Sequence, residues 1–337
     1  LIGAGFIAGF HLAGIRDCGQ AAQVRLVAAR SKHKAQALAQ TWGIESATDN
    51  WREILGRSDI HAVIIATPDH THEAIACEVA QAGKAILLQK PMAGSVASCR
   101  RIIAAADAAN IDLQVSFMHR HFEEVLAARQ LLEQGIIGRL HSVRIRNATP
   151  GPDWGDWFFD PHQVGNGVID QLGVHGIDLV QHLLGPIETV SARTATLLPE
   201  RKLADGRVVA VNTIDTALAS YALDGGRVLV THEMSMIEAQ GCDRFRLELY
   251  GDKGTIWLRT ERGPLAIWAP HEYGSTWHVQ PLAQAPLGAR QHARWIAALQ
   301  GQLAPENTAV EALAGMQVVE AIQASARRDS ATVPVAR

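Results

Sequence analysis

Cysteine is scarce and unpaired. Four residues in 337, Cys18, Cys77, Cys99 and Cys242, are widely spaced and form no C-x-x-C pair, which argues against a zinc site and against a disulfide framework. A reducing compartment, the cytoplasm, is the simpler setting. A basic surplus is missing too: 31 Lys plus Arg against 34 Asp plus Glu leave a net charge of −3, so neither nucleic acid nor an anionic membrane is an expected partner. No apolar run approaches the ~20 residues of a membrane span, and no internal repeat or low-complexity tract is present. With 47% apolar and 19% charged residues, disorder is excluded. What remains is a soluble globular chain, and at about 150 residues per domain its length points to two domains.

The opening LIGAGFIAGF has the apolarity of a signal peptide but no basic start, and His11, Arg16 and Asp17 follow at once, so it reads as folded structure. Leu1-Ile2 reads as the end of a strand whose earlier residues precede the numbering. Beyond it, β-branched apolar runs at 23–29, 61–66, 84–88 and 113–117 alternate with alanine-rich amphipathic stretches at 7–17, 32–42, 71–82 and 95–109. That alternation is the βαβ rhythm of a parallel sheet with helices on both faces. After a helix to about residue 134 the pattern changes to strands near 140–147, 187–197, 210–222, 226–236, 244–250 and 254–259, with a hairpin signal at Gly225-Gly226. Helices at 288–301 and 308–328 close the chain. The expected fold is α/β: a dinucleotide-binding domain over 1–118 and an α+β domain over 119–337 with an open-faced, mostly antiparallel sheet. Few helices remain to cover that sheet, so a homodimer, or a homotetramer of dimers, is expected through it.

Gly3-Ala4-Gly5-Phe6-Ile7-Ala8 follows a strand and opens a helix, the context in which G-x-G-x-x-G/A binds a dinucleotide. Gly3 permits the tight turn, Gly5 lets a pyrophosphate approach the backbone, and the small Ala8 allows close helix–strand packing; Phe6 and Ile7 lie in the same loop. At the end of the second strand, where an acidic residue would bind the ribose 2′-hydroxyl of NAD, the chain has Arg30, Ser31 and Lys32. A guanidinium, a hydroxyl and an ammonium suit a 2′-phosphate, so NADP is the expected cofactor, with NAD as the alternative.

Several stretches resemble the glucose–fructose oxidoreductase and inositol dehydrogenase (Gfo/Idh/MocA) family almost end to end. Ala66-Thr67-Pro68 followed by His72 is similar to its cofactor-side turn, and Gly83 to Pro91, ending Gln89-Lys90-Pro91, to its G-K-h-v-l-x-E-K-P signature. The run from Gly165 through Gly167, Asp170, Gln171 and Gly173 to His175 and Asp178 resembles its second signature, and Gly251-Asp252-Lys253-Gly254 its C-terminal glycine turn. The resemblance implies a Rossmann domain plus an open-faced α/β domain, and NAD(P)-linked oxidation or reduction of a sugar, an inositol-like polyol or a cyclic diol. It places Gly3, Gly5, Phe6, Ile7, Arg30, Ser31, Thr67, Pro68, His72, Gln89 and Lys90 at the cofactor. Lys90 and His175 become the candidate catalytic pair: an ammonium stabilises a developing alkoxide, and an imidazole exchanges the proton.

Two departures stand out. Gln89 replaces the signature's glutamate, and Gln171 stands four residues before His175, where the family has aspartate. On an α-helix a step of four lands near His175 and a step of five does not, so Gln171 rather than Asp170 faces the substrate unless the register shifts at Asn166. His119, Arg120 and His121 follow the last Rossmann strand, in the stretch the family uses to line its substrate pocket. Trp154 and Trp157, with Asp156, form an aromatic loop that the family often lays over the substrate. The substrate set is thus Lys90, His119, Arg120, Trp157, Asp170, Gln171 and His175, suited to a ring compound bearing hydroxyls or a carboxylate. No third ligand stands near the H-x-H pairs at 70/72 and 119/121, so no metal is expected. A cofactor-binding regulator, or a non-redox enzyme on the same fold, is the alternative that Gln89 and Gln171 favour.

Overall fold

The computed structural model describes residues 1–239, 244–283 and 285–336, so Cys242 lies outside the described residues. The chain forms two compact units, Leu1–Met118 with Ala285–Leu313, and His119–Gln284 with Ala314–Arg337. A single cut after residue 118 therefore needs correcting: the segment 285–313 completes the first unit. The reason is apolar burial, because Trp295 and Ile296 share a core cluster with Leu1, Ala8, Leu12, Ile15, Ile64 and Leu87. Each such side chain contributes about 1.5–3 kcal/mol when removed from water.

In the first unit the order is α1 (Ala8–Asp17), β1 (Leu26–Ala28), α2 (Lys32–Trp42), β2 (Ser46–Thr48), β3 (Ala62–Ile65), α3 (His72–Gln81), β4 (Ala85–Gln89), α4 (Val96–Ala109) and β5 (Leu113–Ser116). All strand pairings in it are parallel. Ile2 bridges both Ala28 and Ile65, so the sheet runs β2, β1, Ile2, β3, β4, β5. The order of strand connection reverses at Ile2, which makes the crevice beyond it the topological switch point where doubly wound sheets bind ligands. β3 and β4 are nearly continuous apolar runs because helices cover both of their faces.

The second unit contains α5 (Glu123–Glu133), β6 (Leu140–Ala148), α6 (Val174–Leu184), β7 (Thr189–Ala195), β8 (Glu200–Lys202), β9 (Val208–Ala210), β10 (Thr216–Leu223), β11 (Val228–Ser235), β12 (Phe245–Gly251), β13 (Thr255–Arg259), β14 (Leu265–Trp268), α7 (Pro270–Tyr273) and β15 (His278–Val279). After α8 (Ala289–Leu299), which belongs to the first unit, come α9 (Ala309–Ala326) and β16 (Val333–Pro334). Nine strands form one sheet in the order β15, β14, β13, β12, β6, β11, β10, β7, β16, antiparallel except where β6 meets β11. Burial alternates along β10 and along β11 as far as Met234: Ala217, Ala219, Tyr221 and Leu223 point inward, while Leu218 and Leu229 remain more than half exposed. This period of two is what one covered and one open face requires. The short β2, β8, β9, β14, β15 and β16 give too weak an alternation to be read from sequence.

Candidate functional site

The glycine turn is built by close approach. Gly3 has φ 115°, and a Cβ there would run into the Ala66 carbonyl at the end of β3, so no other residue fits without moving the sheet. The turn is pinned by Gly3 N–H donating to the Ala28 carbonyl at 2.8 Å and Ala66 N–H donating to Ile2 at 2.7 Å. Gly5 is exposed, and a Cβ on it would meet only open space, which leaves the backbone accessible to a ligand. Ile7, at the N-cap of the ten-residue α1, gives no side-chain bond, and the Ala8 and Phe10 N–H groups donate to the Gly5 and Ile7 carbonyls at 3.1 Å, beside a fully buried Ala8 and a Phe6 that is 79% exposed. An open glycine turn at a helix N-terminus fits a pyrophosphate. Past β1, Arg30, Ser31 and Lys32 are all exposed, and Ser31 caps α2 by accepting from the Lys34 N–H.

Thr67 and Pro68 lead from β3 into a tight turn whose Thr71 hydroxyl bonds Thr67 Oγ1 and the Pro68 carbonyl, each at 2.7 Å. His72 is fully buried, with Nδ1 3.0 Å from the Pro91 carbonyl and Nε2 2.9 Å from the Thr67 carbonyl. A direct cofactor contact for His72 is thereby corrected: its ring is a strut joining the 67–71 turn to the Lys90-Pro91 turn. Burial pushes the neighbouring Asp69 carboxyl up, against the pull of His72. Lys90 is half-buried at the end of β4, before a cis bond to Pro91. Gln89 is buried and accepts the Lys90 N–H through Oε1 at 2.7 Å.

In the second unit, residues 169–173 form a π-turn, with Val174 N–H donating to the Ile169 carbonyl five residues back. The α-helical spacing used to choose Gln171 over Asp170 does not hold through this turn, because a turn closed by i to i+5 bonds contains more residues than an α-helical one. Asp170 is fully buried and Gln171 only half-buried. The Asp170 carboxylate accepts from the Asn166 backbone N–H and side-chain amide at 3.0 Å, so the Asn166 corner does hold it. Gly167, at φ 54°, closes that corner against the Ile214 backbone.

His175 starts α6, 4% exposed, and its ring lies 4.4 Å from that of His119. Phe245 on β12 packs against both, at 4.4 Å from His119 and 5.6 Å from His175. His119 Nε2 is 3.9 Å from Glu261 on the β13–β14 turn, where Glu261 and Arg262 both take positive φ. Arg120 is not turned toward a substrate. Its guanidinium forms a buried bidentate pair with Asp178 on α6, Nε to Oδ2 at 2.8 Å and Nη2 to Oδ1 at 2.5 Å. Charge and fork geometry are both used there to hold the His119 segment against α6. Trp157 stacks on Phe158 at 3.7 Å beside the cluster of Phe158, Phe159, Leu203 and Val211, so it walls its own loop; Trp154 stays 59% exposed.

Sequence reasoning missed the supports. Gly176 has no room for a side chain because His232 and Asn147 press on it. The Asn147 Oδ1 accepts from His232 Nε2 at 2.7 Å, and the Tyr221 hydroxyl donates to His232 Nδ1 at 2.8 Å. Burial lowers His232 to about 3. Nor did sequence indicate Glu261, His11 or His292, whose partners lie far away in the chain. Among the described residues no group of three or more His, Cys, Asp or Glu is placed to hold a metal, and no helix is long and apolar enough to cross a membrane.

Residues 1–117 match the family model for the oxidoreductase family with NAD-binding Rossmann fold, and residues 125–257 match the GFO/IDH/MocA C-terminal domain. Inositol 2-dehydrogenase 2 of Saccharopolyspora erythraea is 31% identical over 263 residues, covering 77% of this chain and 72% of that protein. Levoglucosan dehydrogenase of Pseudarthrobacter phenanthrenivorans is 34% identical over 197 residues, which is 56% of this chain and only half the length of that enzyme. Among solved structures, a levoglucosan dehydrogenase in complex with NADH and L-sorbose superimposes with a TM-score of 0.89 at 24% identity, covering 100% of this chain and 98% of that one.

Proposed function

Because the chain belongs to the Gfo/Idh/MocA oxidoreductase family, we propose that it is an NAD(P)-dependent dehydrogenase acting on a CH–OH group of a sugar, an inositol-like polyol or a cyclic diol. The observation that carries this is the Gly3–Gly5 turn at the sheet's reversal point, backed against Ala66, open at Gly5 and leading into the N-terminus of α1. When bound there, nicotinamide supplies the hydride acceptor or donor. Lys90 stabilises negative charge developing on the substrate oxygen, and His175 takes or returns its proton. Asp170, Gln171, His119 and the Trp154–Trp157 loop line the substrate side. Arg120 and His72 hold backbone in place rather than touching ligand. The first unit binds cofactor; the second binds substrate and carries the oligomer contact.

The test is absorbance at the nicotinamide band while sugars, inositols and diols are offered. Turnover with a member of the panel is the expected result. Cofactor binding with no redox change across the panel would leave a regulator or a non-redox enzyme instead. NADP is the preferred cofactor, since Arg30 is exposed and its neighbours are Ser31 and Lys32. Losing a charged contact costs about 1.5–3 kcal/mol, so Arg30→Ala should weaken NADP roughly tenfold to a hundredfold and spare NAD. Equal dissociation constants for the two cofactors in the unmodified protein would refute the preference. The open face of the nine-stranded sheet, with Leu218 and Leu229 exposed, is covered by a second copy in a homodimer or a tetramer of dimers, which sedimentation checks. No disulfide joins Cys18, Cys77 and Cys99, which suits a reducing compartment such as the cytoplasm.

A further inference from the structure

Gln89, the residue that breaks the family's glutamate signature, lies at one end of a buried hydrogen-bond chain. Its Nε2 is 3.4 Å from His11 Nε2, His11 Nδ1 is 3.0 Å from His292 Nε2, and His292 Nδ1 is 2.7 Å from the Gly288 carbonyl. At the other end, Gln89 Oε1 accepts the peptide N–H of Lys90 at 2.7 Å. Gln89 is 8% exposed, and the two histidines are fully buried.

The two ends fix every proton between them. A carbonyl oxygen only accepts, so His292 carries its proton on Nδ1 and accepts at Nε2. His11 must then donate from Nδ1 and accept at Nε2, and only an amide N–H at position 89 can fill that acceptor. The same amide must turn its oxygen to Lys90, because the peptide N–H only donates. Glutamine satisfies both demands with both rings neutral. A carboxylate would still accept from Lys90, but it would face the lone pair of His11 Nε2, and relief requires one further proton, on the carboxyl or on the His11–His292 pair. The surroundings are shaped for this chain. Gly14 on α1 has no space for a side chain because the His292 ring occupies it, and Phe10 packs edge-on against His11 at 5.3 Å and tilted against His292 at 5.4 Å.

We propose that Gln89 is a positioning residue: through the neutral His11–His292 relay it locks the backbone of Lys90 to α1 and α8, and the departure from glutamate is matched to those two histidines. The chain of proton positions stands on geometry alone. Its effect on turnover rests on the dehydrogenase reading above.

The experiment uses full-length protein labelled with nitrogen-15 histidine, with ring signals assigned through a His292→Asn variant. In the unmodified protein, long-range proton–nitrogen spectra should show both rings protonated at Nδ1 and unprotonated at Nε2. In Gln89→Glu, the ring spectra and the carbon-13 shift of the new carboxyl should together show one proton more at pH 7. A proton on His11 Nε2 in the unmodified protein, or two neutral rings beside an ionised carboxylate in Gln89→Glu, overturns the relay. For positioning, Gln89→Leu should lower kcat about tenfold while the NADPH dissociation constant, read by fluorescence, stays within about twofold. An unchanged kcat, or an equal loss of cofactor affinity, overturns that role. Gln89→Glu keeps the acceptor toward Lys90, so it should retain more of kcat than Gln89→Leu, and it supplies the spectra if the leucine variant does not fold. If no substrate turns over at all, the dehydrogenase reading fails while the spectra still decide the relay.

Discussion

Each unit holds a pair of histidines in contact, and the two pairs are built on opposite plans. His11 and His292 meet edge to edge, rings 5.2 Å apart at 80°, with ring nitrogens bonded to each other and to fixed neighbours. His119 and His175 meet ring against ring, 4.4 Å apart at 44°, with Phe245 as a third ring and a carboxylate 3.9 Å from His119. In the first pair the hydrogen bonds prescribe where each proton sits, which suits support. In the second the rings pack tilted or edge-on against one another and against Phe245, so shape holds them in place. Burial alone does not separate the two plans, because all four side chains are buried.

The largest test of this contrast is a pair of truncations. His175→Ala should lower turnover by about 10²–10⁴-fold with cofactor affinity nearly intact, whereas His292→Ala should act first on stability. Comparable losses of turnover per folded molecule in both variants would break the comparison. Next comes the clamp beside the second pair. Arg120→Ala leaves the buried Asp178 carboxylate without its fork, and denaturant titration should show about 3–5 kcal/mol of lost stability. A change confined to KM would return Arg120 to the substrate.

Smaller again is Gly14→Ala, which drives a methyl group into the His292 ring and should cost about 1–3 kcal/mol, while Gly9→Ala, one and a half turns earlier on α1 and facing open space, should cost nothing. Equal melting temperatures for the two variants would show that α1 and α8 slide apart freely. The mildest test is pH. Burial lowers His232 to about 3 and His11 and His292 below their ordinary value, with His292's charge adding to the effect on His11. The unfolded chain then binds more protons below about pH 6.5, so stability is full above that pH and falls as pH drops. Each of these histidines contributes a slope of about 1.4 kcal/mol per pH unit until its own folded value is passed. Denaturation midpoints that stay flat between pH 7 and pH 5 would mean that these rings are charged in the folded protein.

Much of this was legible in the chain because it is local. The Gly3–Ala8 fingerprint, the Gln89-Lys90-Pro91 and His175 signatures and the switch from alternating strand–helix units to consecutive strands all lie within short windows whose backbone needs are set by their own residues. The π-turn at 169–173 was not legible, since a hydrophobic pattern reports that a helix exists and not which turn absorbs one more residue. Arg120 looked like a substrate ligand until Asp178, 58 residues on, was seen to occupy its fork. The 285–313 segment shows amphipathic spacing in its helix, but such spacing says only that one face is covered, not which sheet covers it.

By itself, then, the sequence determined the fold class, the cofactor turn and the family, because glycine conformations, apolar periodicity and signature residues act over a few positions. The tertiary structure decided which titratable groups serve as support. That depends on partners such as His11 and His292, 281 residues apart, and a buried polar group takes its role from whatever satisfies its hydrogen bonds in space.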